Sequence, residues 1–505
     1  LDNSIATMPH HQPHSPEQAV LAVQQTLDRD AILSSETVPT QSACGRVLAA
    51  TARAGLLVPA ACVSTRDGAA LPAASAAGAA PGRPVRLDFH GAVQPVRTGQ
   101  PLPPGADCVV MEERLSRDGD AVILTTAPAP GDFTLPAGQD AEPGRVMAPA
   151  GRLLQPWDLA GLLSAGVFEV TVHAPVRAVF LPTGEEVLPF QDRPDPGPGQ
   201  VVESSSQGFL TMARSLGALA ESRPPVPDDP HALRQAIRDA LDRGAHCVVL
   251  GAGSGPGSRD HARTVLESMG RILARGLAMA PGRTGVLAEC DGRLLACAPG
   301  PPAGSAAFCE EVLAPVLAWL GRRDPPHQEV VHAELADDVS SRPGVARLAR
   351  VQLGRVGGRL IARLPGAEDG PLQGLCRTQG RLRIPADRDG FRAGETAPVE
   401  RIASNEEIGS VILTAGRRAG ALDRLAEALL DQRPPLQLLH KPTAEHDALD
   451  ALRHGRAAAA CVSAGLAGAA PRIVPLGRDS DLVVSEAAPA LLPDAARALA
   501  RRRAT

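Results

Sequence analysis

Tyrosine is absent from the 505 residues, Lys441 is the single lysine, and aromatic side chains make up only 2% of the chain. Asn and Ile are scarce as well, while Ala, Arg, Gly and Pro abound. The depleted residues are those with AT-rich codons, so the bias points to a GC-rich coding sequence. It also means that any anion this chain neutralises must meet arginines, whose planar forks do not replace a lysine's compact charge. A basic excess is missing too: the net charge of -5 argues against a general nucleic-acid surface. No apolar run approaches the roughly 20 residues that span a bilayer. The nine cysteines include no CxxC pair and sit mostly in apolar company, which predicts buried free thiols over a zinc site. The opening LDNSIATMPHHQPHSP lacks a charged and a hydrophobic signal region, so the cytoplasm is the expected compartment. Residues 1–14, rich in Pro and His, read as a disordered leader.

A chain of this length exceeds what one hydrophobic core supports, and the patterning divides it. Ser15 before Pro16 and Glu17 predicts a helix start, and with LLQPWDLAGLLSAGVFEVTV it frames a helical lead-in and linker domain over 15–57 and 151–174. From 58 to 150 helical periodicity fades. The runs PVRLDF, DCVVME and AVILTT alternate with Gly/Pro bends, predicting a β-rich insertion domain. Strand and helix patterns alternate from 175 to 325: VRAVFLP, SQGFLTMARSLGALAE (helix), HALRQAIRDALDRG (helix), HCVVLG, GVLAEC, RLLACAP and SAAFCEEVLAPVLAWL (helix). That order predicts an α/β domain with a central parallel sheet. Strand patterns resume over 326–402 as a small β-domain, and an extra α/β lobe follows over 409–505. The expected class is thus a multidomain α/β and β protein.

In an open parallel sheet, ligands gather outside the carboxyl ends of the strands. VFLP leads there into Thr183, Gly184, Glu185 and Glu186. The turn PDDP sets Asp228 and Asp229 at a helix start, HCVVLG runs into AGSGPGSRDH with Asp260, and RLLACAP runs into GPPAGS. Glycine-rich loops at helix starts suit oxyanions, and neighbouring carboxylates suit a hard cation such as Mg²⁺. Each has a plainer reading: Asp228 and Asp229 are good helix caps, Glu185 and Glu186 can be solvated loop acids, and GAGSGPG lacks the Lys-Ser/Thr of a P-loop.

The stretch RTGQPLPPGADCVVMEE, Arg97 to Glu113, together with FLPTGEEV and VPDDPHALR, resembles the molybdopterin molybdenumtransferase family, relatives of the gephyrin C-terminal domain. The resemblance runs from about Ser15 to Ile402, and the segments keep the family's order. The part from about Asn405 resembles a shortened periplasmic-binding-protein-like domain fused to some members. The resemblance implies an enzyme that cleaves adenylylated molybdopterin and inserts molybdate with Mg²⁺, working as a homodimer whose cleft joins one subunit's α/β domain to the other's β-rich domain. It implies catalytic roles for Asp67, Thr98, Asp140, Glu186, Asp228 and Asp260. Mg²⁺ would sit on Glu186, Asp228 and Asp260. Molybdopterin contacts would come from Ser64, Thr183, Gly184, Gly253, Arg283, Pro299 and Gly300. Asp107 and Glu112 read as structural.

The basic side of the family's site departs. Ala280 and Arg283 stand at lysine positions, Gly276 at a third, and Val63 and Ala69 at the family's Asn and Tyr. Pro-Gly-Asn-Pro has become Pro299 to Pro302, and Pro301 removes a backbone N–H where an anion could dock. A site for phosphate and oxyanion needs offsetting positive charge, with Arg283, Arg275 and Arg259 as the candidates. Two readings follow: a working molybdenumtransferase relying on arginines and Mg²⁺, or a homologue that binds molybdopterin or an oxyanion without turnover.

Overall fold

The computed structural model describes residues 13–89, 91–251, 261–366, 370–464, 473–476, 480–485 and 491–501. The leader expected over 1–14 lies outside the described residues through position 12. The chain forms two compact units: Leu33–Pro175 with Gly321–Arg323, and the remainder.

The first of these is built of short antiparallel strands. Gly68–Leu71 lies between Gln94–Val96 and Cys108–Met111, and Ala121–Leu124 lies between Val85–Asp88 and Ser116–Asp118. Alternation in DCVVME and AVILTT sends Cys108, Val110, Val122 and Leu124 into one core with Ala69 and Leu71. The ribbon Ser35–Pro39 with Glu169–His173 and the helix Pro156–Ser164 close a second core around Leu48, Leu154 and Leu162. The acid Asp107 is structural, its Oδ1 accepting the Ala73 N–H at 2.6 Å.

The second unit carries a six-stranded sheet in the order Leu219–Ser222, Arg177–Pro182, Cys247–Gly251, Arg293–Ala298, Val286–Cys290, Arg271–Arg275. The first four strands are parallel; the last two run antiparallel. The expected parallel sheet is therefore mixed. The reason is local: Asp291 and Gly292 both have positive φ, 51° and 72°, the two-residue turn that joins antiparallel strands. The expected helix SQGFLTMARSLGALAE is also shorter, ending at Ser215 with Leu219–Ser222 a strand. Gly217 at φ 77° ends it, since a left-handed residue stops helical winding. The Pro16–Thr26 helix, read from its sequence position with the lead-in domain, groups with this unit, and its Glu17 pairs with Arg383. Ser15 caps it, accepting from Gln18 N–H while the Gln18 side chain reaches back to Ser15 N–H, a reciprocal cap.

Pro302–Leu320 is the one described helix long and apolar enough to cross a membrane; 67% of its most apolar window is buried inside the unit. The nine cysteines are free thiols, and burial pushes the Cys247 and Cys309 thiols up to about 12, which keeps them unreactive.

Residues after Pro326 close a small barrel. The long strand Ala346–Val356 pairs through Arg347–Val351 with Gly380–Ile384 and through Gln352–Val356 with Arg359–Arg363. Val330–Leu335 and Thr396–Arg401 complete the ring. A final five-stranded sheet, with Val411–Gly416 between Gln437–Pro442 and Ala459–Ser463, packs on the barrel through Val356 and Ile361.

Candidate active site

The four parallel strands bring their following loops to one edge. Thr183, 2% exposed, donates its N–H and hydroxyl to Gly251 O at 3.1 and 3.0 Å, tying the loop after the first strand to the end of the third. Gly184 N–H donates to Val226 O at 3.1 Å, and Val226 N–H to Pro182 O at 2.8 Å. These bonds place Glu186 in the loop beside the turn that carries Asp228.

The two aspartates of that turn divide their work. Asp229 caps the helix Pro230–Asp242, its Oδ1 accepting from His231 and Ala232 N–H at 3.0 and 2.8 Å. Asp228 makes no such bond: its Oδ1 is buried and has no hydrogen-bond partner among the described residues. A buried carboxylate oxygen without a donor is costly, and a bound cation is one partner that would offset that cost. Glu186 is exposed, its carboxylate resting over Gly184. Gly184 has φ at 120°, a backbone conformation that side chains rarely adopt, and both Glu186 carboxylate oxygens, 2.6 Å from where a Cβ would stand, would have to move aside. Gly184→Ala is expected to displace Glu186 and cost roughly 1–3 kcal/mol. Urea unfolding measures the loss, with Gly45→Ala, positive φ but open space, separating backbone strain from the clash.

The expected third carboxylate, Asp260, lies outside the described residues, as do Gly253 and Arg259. Among the described residues no cluster of three metal-ligating side chains forms. Two oxygen-donor acids fit a hard cation that retains waters, as Mg²⁺ does.

On the adjoining loop, Gly282 packs against the first turn of the Pro302–Leu320 helix, where a Cβ would stand 3.5 Å from Gly304 O. Gly304 in turn packs on Pro299, whose Cβ lies 3.1 Å from where a Gly304 Cβ would stand. Arg283 is exposed and its side chain makes no hydrogen bond or ion pair among the described residues. Arg275 is different: it pairs with Glu267 at 2.5 Å, so it does not supply free charge. Pro301 occupies the cap of the following helix without a side-chain cap bond.

A cavity of about 1340 Å³ opens beside Glu186, Gly251 and Gly300. Its walls are mainly apolar, with Val202, Phe209, Met212 and Leu375 among them. One wall comes from the short helix Pro371–Cys376. The sequence reading missed this wall; its only signal was PLQGLC, two leucines at helical spacing in a β-patterned stretch. Arg381 in the lining is fully compensated, contacting Glu310 at 2.6 Å, Glu311 at 3.1 Å and also Glu400. Burial raises the Glu311 carboxyl above its ordinary range despite Arg381 and Arg383.

In the other unit, Asp67 and Thr98 are joined directly. Thr98 donates its N–H and hydroxyl to Asp67 Oδ1 at 2.7 and 2.9 Å. Those two bonds, with a contribution from Arg97, hold the exposed Asp67 carboxyl below its usual range. Ser64 is buried and its Oγ donates to Arg66 O, shaping the turn that presents Asp67. Asp140 is exposed; its N–H donates to Val58 O at 3.0 Å, and no hydrogen bond links it to Asp67 among the described residues.

Comparison with known proteins covers both units. Residues 15–166 match the MoeA N-terminal region (domain I and II), and residues 179–319 match a probable molybdopterin binding domain. The molybdopterin molybdenumtransferase of Synechococcus elongatus is 28% identical over 390 residues, 73% of this chain and 94% of that protein. Molybdopterin molybdenumtransferase 1 of Mycobacterium tuberculosis is 28% identical over 330 residues, 63% of this chain and 76% of its own length. Among solved structures, the molybdopterin biosynthesis moea protein from Pyrococcus horikosii superposes with a TM-score of 0.64 at 23% identity. It covers 77% of this chain and 99% of its own, a likeness of fold.

Proposed function

This chain belongs to the molybdopterin molybdenumtransferase family, and from that premise we propose that it inserts molybdate into adenylylated molybdopterin with Mg²⁺, as a homodimer. The observation that carries the reading is the buried Asp228 Oδ1, without a partner among the described residues, in the turn next to the Glu186 loop at the carboxyl ends of the parallel strands. Glu186 and Asp228 would hold the Mg²⁺, which when bound neutralises the phosphate charge of the adenylate. Thr183 and Gly184 fix the loop that carries Glu186. Arg283, exposed on the loop after Gly282, would offer its charge to the anionic substrate. The apolar walls of the adjoining cavity exclude water from the bond being cleaved, which strengthens each charge interaction there. The homodimer reading gives Asp67, kept ionised by Thr98, the role of base or substrate anchor.

The experiment is direct: purified protein, adenylylated molybdopterin, molybdate and Mg²⁺, with AMP release and metal incorporation measured together. Turnover that stops with EDTA supports the enzyme. Tight molybdopterin binding without any AMP release replaces it with the second reading, a binder of molybdopterin or an oxyanion. A specific observation favours keeping that reading in view: of the three candidate arginines, Arg275 is held by Glu267, leaving Arg283 as the available charge among the described residues. Ala280→Lys is accordingly expected to raise kcat/KM by about tenfold, since one charge on a developing anion contributes on that order.

Thr98→Val removes one of the two bonds on Asp67. The folded carboxyl pKa is depressed, so the Thr98 contact stabilises above the unfolded value and is lost as pH falls through the folded one. In Thr98→Val that depression shrinks, and the acid limb of the pH–rate profile is expected to move upward. An unmoved limb removes Asp67 from the ionisation that governs activity.

A further inference from the structure

In the C-terminal sheet the first strand lies between the two that follow it in sequence. Gln437–Pro442, Val411–Gly416 and Ala459–Ser463 run parallel in that spatial order. The chain leaves the central strand to one side through the helix Gly420–Leu430 and reaches the other side through the helix Glu445–Arg453. Right-handed crossovers in opposite directions put the two helices on opposite faces. Accordingly, Leu422 and Leu425 of the first helix pack in the main core, while Ala448 of the second packs with Ala415 and Ala460 in a separate one. Where such connections diverge, the loops after the strands part and leave a crevice, the usual ligand position of an open α/β sheet.

This crevice holds converging donors. Arg417 follows the central strand, its N–H donating to Cys461 O at 2.8 Å and its Nη1 to Ser463 Oγ at 3.2 Å. Ser463, the last residue of the third strand, donates both its N–H, at 3.1 Å, and its hydroxyl, at 2.6 Å, to one oxygen, Glu445 Oε1. On the neighbouring strand and just after it, His440 Nε2 and Thr443 Oγ1 are buried without a hydrogen-bond partner among the described residues. An amide and a hydroxyl on one carboxylate oxygen, with a guanidinium bonded to that same hydroxyl, form the kind of donor set that captures a free oxyanion elsewhere. Here the oxygen belongs to a side chain on the first turn of its own helix, half-buried and able to swing into solvent.

We propose that this switch-point crevice is a second binding site, for a small oxyanion held by Ser463 N–H, Ser463 Oγ and Arg417, and that the Glu445 carboxylate is an internal stand-in which the ligand displaces. The site is separate from Glu186 and Asp228 in the fold and does not depend on their role. It predicts an unusual sign: a mutation that removes a native hydrogen-bonded group should improve binding. Glu445 both occupies the donors and repels an incoming anion.

The test is isothermal titration of the full chain with inorganic phosphate and, separately, with molybdate. Glu445→Gln keeps the side-chain shape and removes its charge; it is expected to tighten binding about tenfold, the effect of deleting one like charge at contact distance near a surface. Arg417→Ala is expected to weaken binding by a similar factor, and Ser463→Ala to weaken it less, because the backbone N–H remains. Thermal melts check that each variant folds; should Glu445→Gln not fold, the loss in Arg417→Ala against the unaltered chain decides. Heat that survives Arg417→Ala unchanged belongs to another site and overturns the proposal. So does the absence of millimolar binding by both anions to the unaltered chain and to Glu445→Gln.

Discussion

Asp228→Asn is expected to lower Mg²⁺-dependent AMP release by about 10²-fold or more, the scale on which a single preorganised charge contact acts in catalysis, without destabilising the fold. The two effects separate because Asp228 holds nothing in the fold: its Oδ1 is buried with no hydrogen-bond partner among the described residues. The amide keeps a polar atom there but removes a buried charge that has no counter-charge, so the variant should be as stable as the unaltered chain or more so. Asp229→Ala is the mirror image. It removes the cap on His231 and Ala232 N–H and is expected to cost about 0.5–2 kcal/mol with kcat little changed. AMP release and urea unfolding, measured on both variants, give the comparison. If Asp228→Asn lost stability and kept activity, the turn would be a structural feature only, and the Mg²⁺ assignment would fail with it.

The second large effect is expected at Arg363, which is 2% exposed and joins the barrel to the C-terminal sheet. Its Nε donates to Gln352 Oε1 at 2.9 Å and its Nη1 to Thr414 O at 2.6 Å, while Nη2 reaches Leu439 O. Hydrogen bonds to a charged group contribute about 1.5–3 kcal/mol each, and truncation strands three acceptors in a dry interface. Arg363→Ala should therefore destabilise the chain by roughly 3–5 kcal/mol. Limited proteolysis should show new cleavage in the segment that precedes the terminal sheet, around Ile402 to Ser410. Arg363→Lys should recover little, since an ammonium cannot span the three acceptors as a planar fork does. An unchanged urea midpoint in Arg363→Ala would mean the two sheets are held by apolar contact alone.

The two predictions concern groups that differ in how visible they were from sequence. The acids in FLPTGEEV and VPDDPHALR stood out because turn residues and carboxylates follow a strand pattern, and each strand end is a local signal. Which of Asp228 and Asp229 caps the helix was not visible, because both residue types cap equally well and only the backbone geometry of Pro227 to Pro230 chooses between them. Arg363 was invisible. In RLIAR it reads as an exposed strand residue, and its burial arises because a sheet more than forty positions later in the chain closes over it. The mixed sheet is an intermediate case: the Asp291-Gly292 turn that reverses the chain was present in AECDGRLLA, but the wider strand–helix alternation outweighed it. The loss of basic residues at Ala280 and Gly276 was plain in the letters. That Arg275 cannot substitute was not, since Glu267 reaches it across a helix-to-strand turn.

By itself, the sequence determined the local elements and the family: strand period, helix starts such as Ser15, turn chemistry and the ordered motifs from Ser15 to Ile402. These depend on neighbours a few residues apart, and a few residues are enough to encode them. Tertiary structure alone decided which strand pairs with which, which acid lacks a partner, which arginine is already spent, and that the Pro16–Thr26 helix packs with the α/β unit. Those outcomes depend on burial and on charges brought together from distant positions, where the cost of an unpaired group outweighs any local preference.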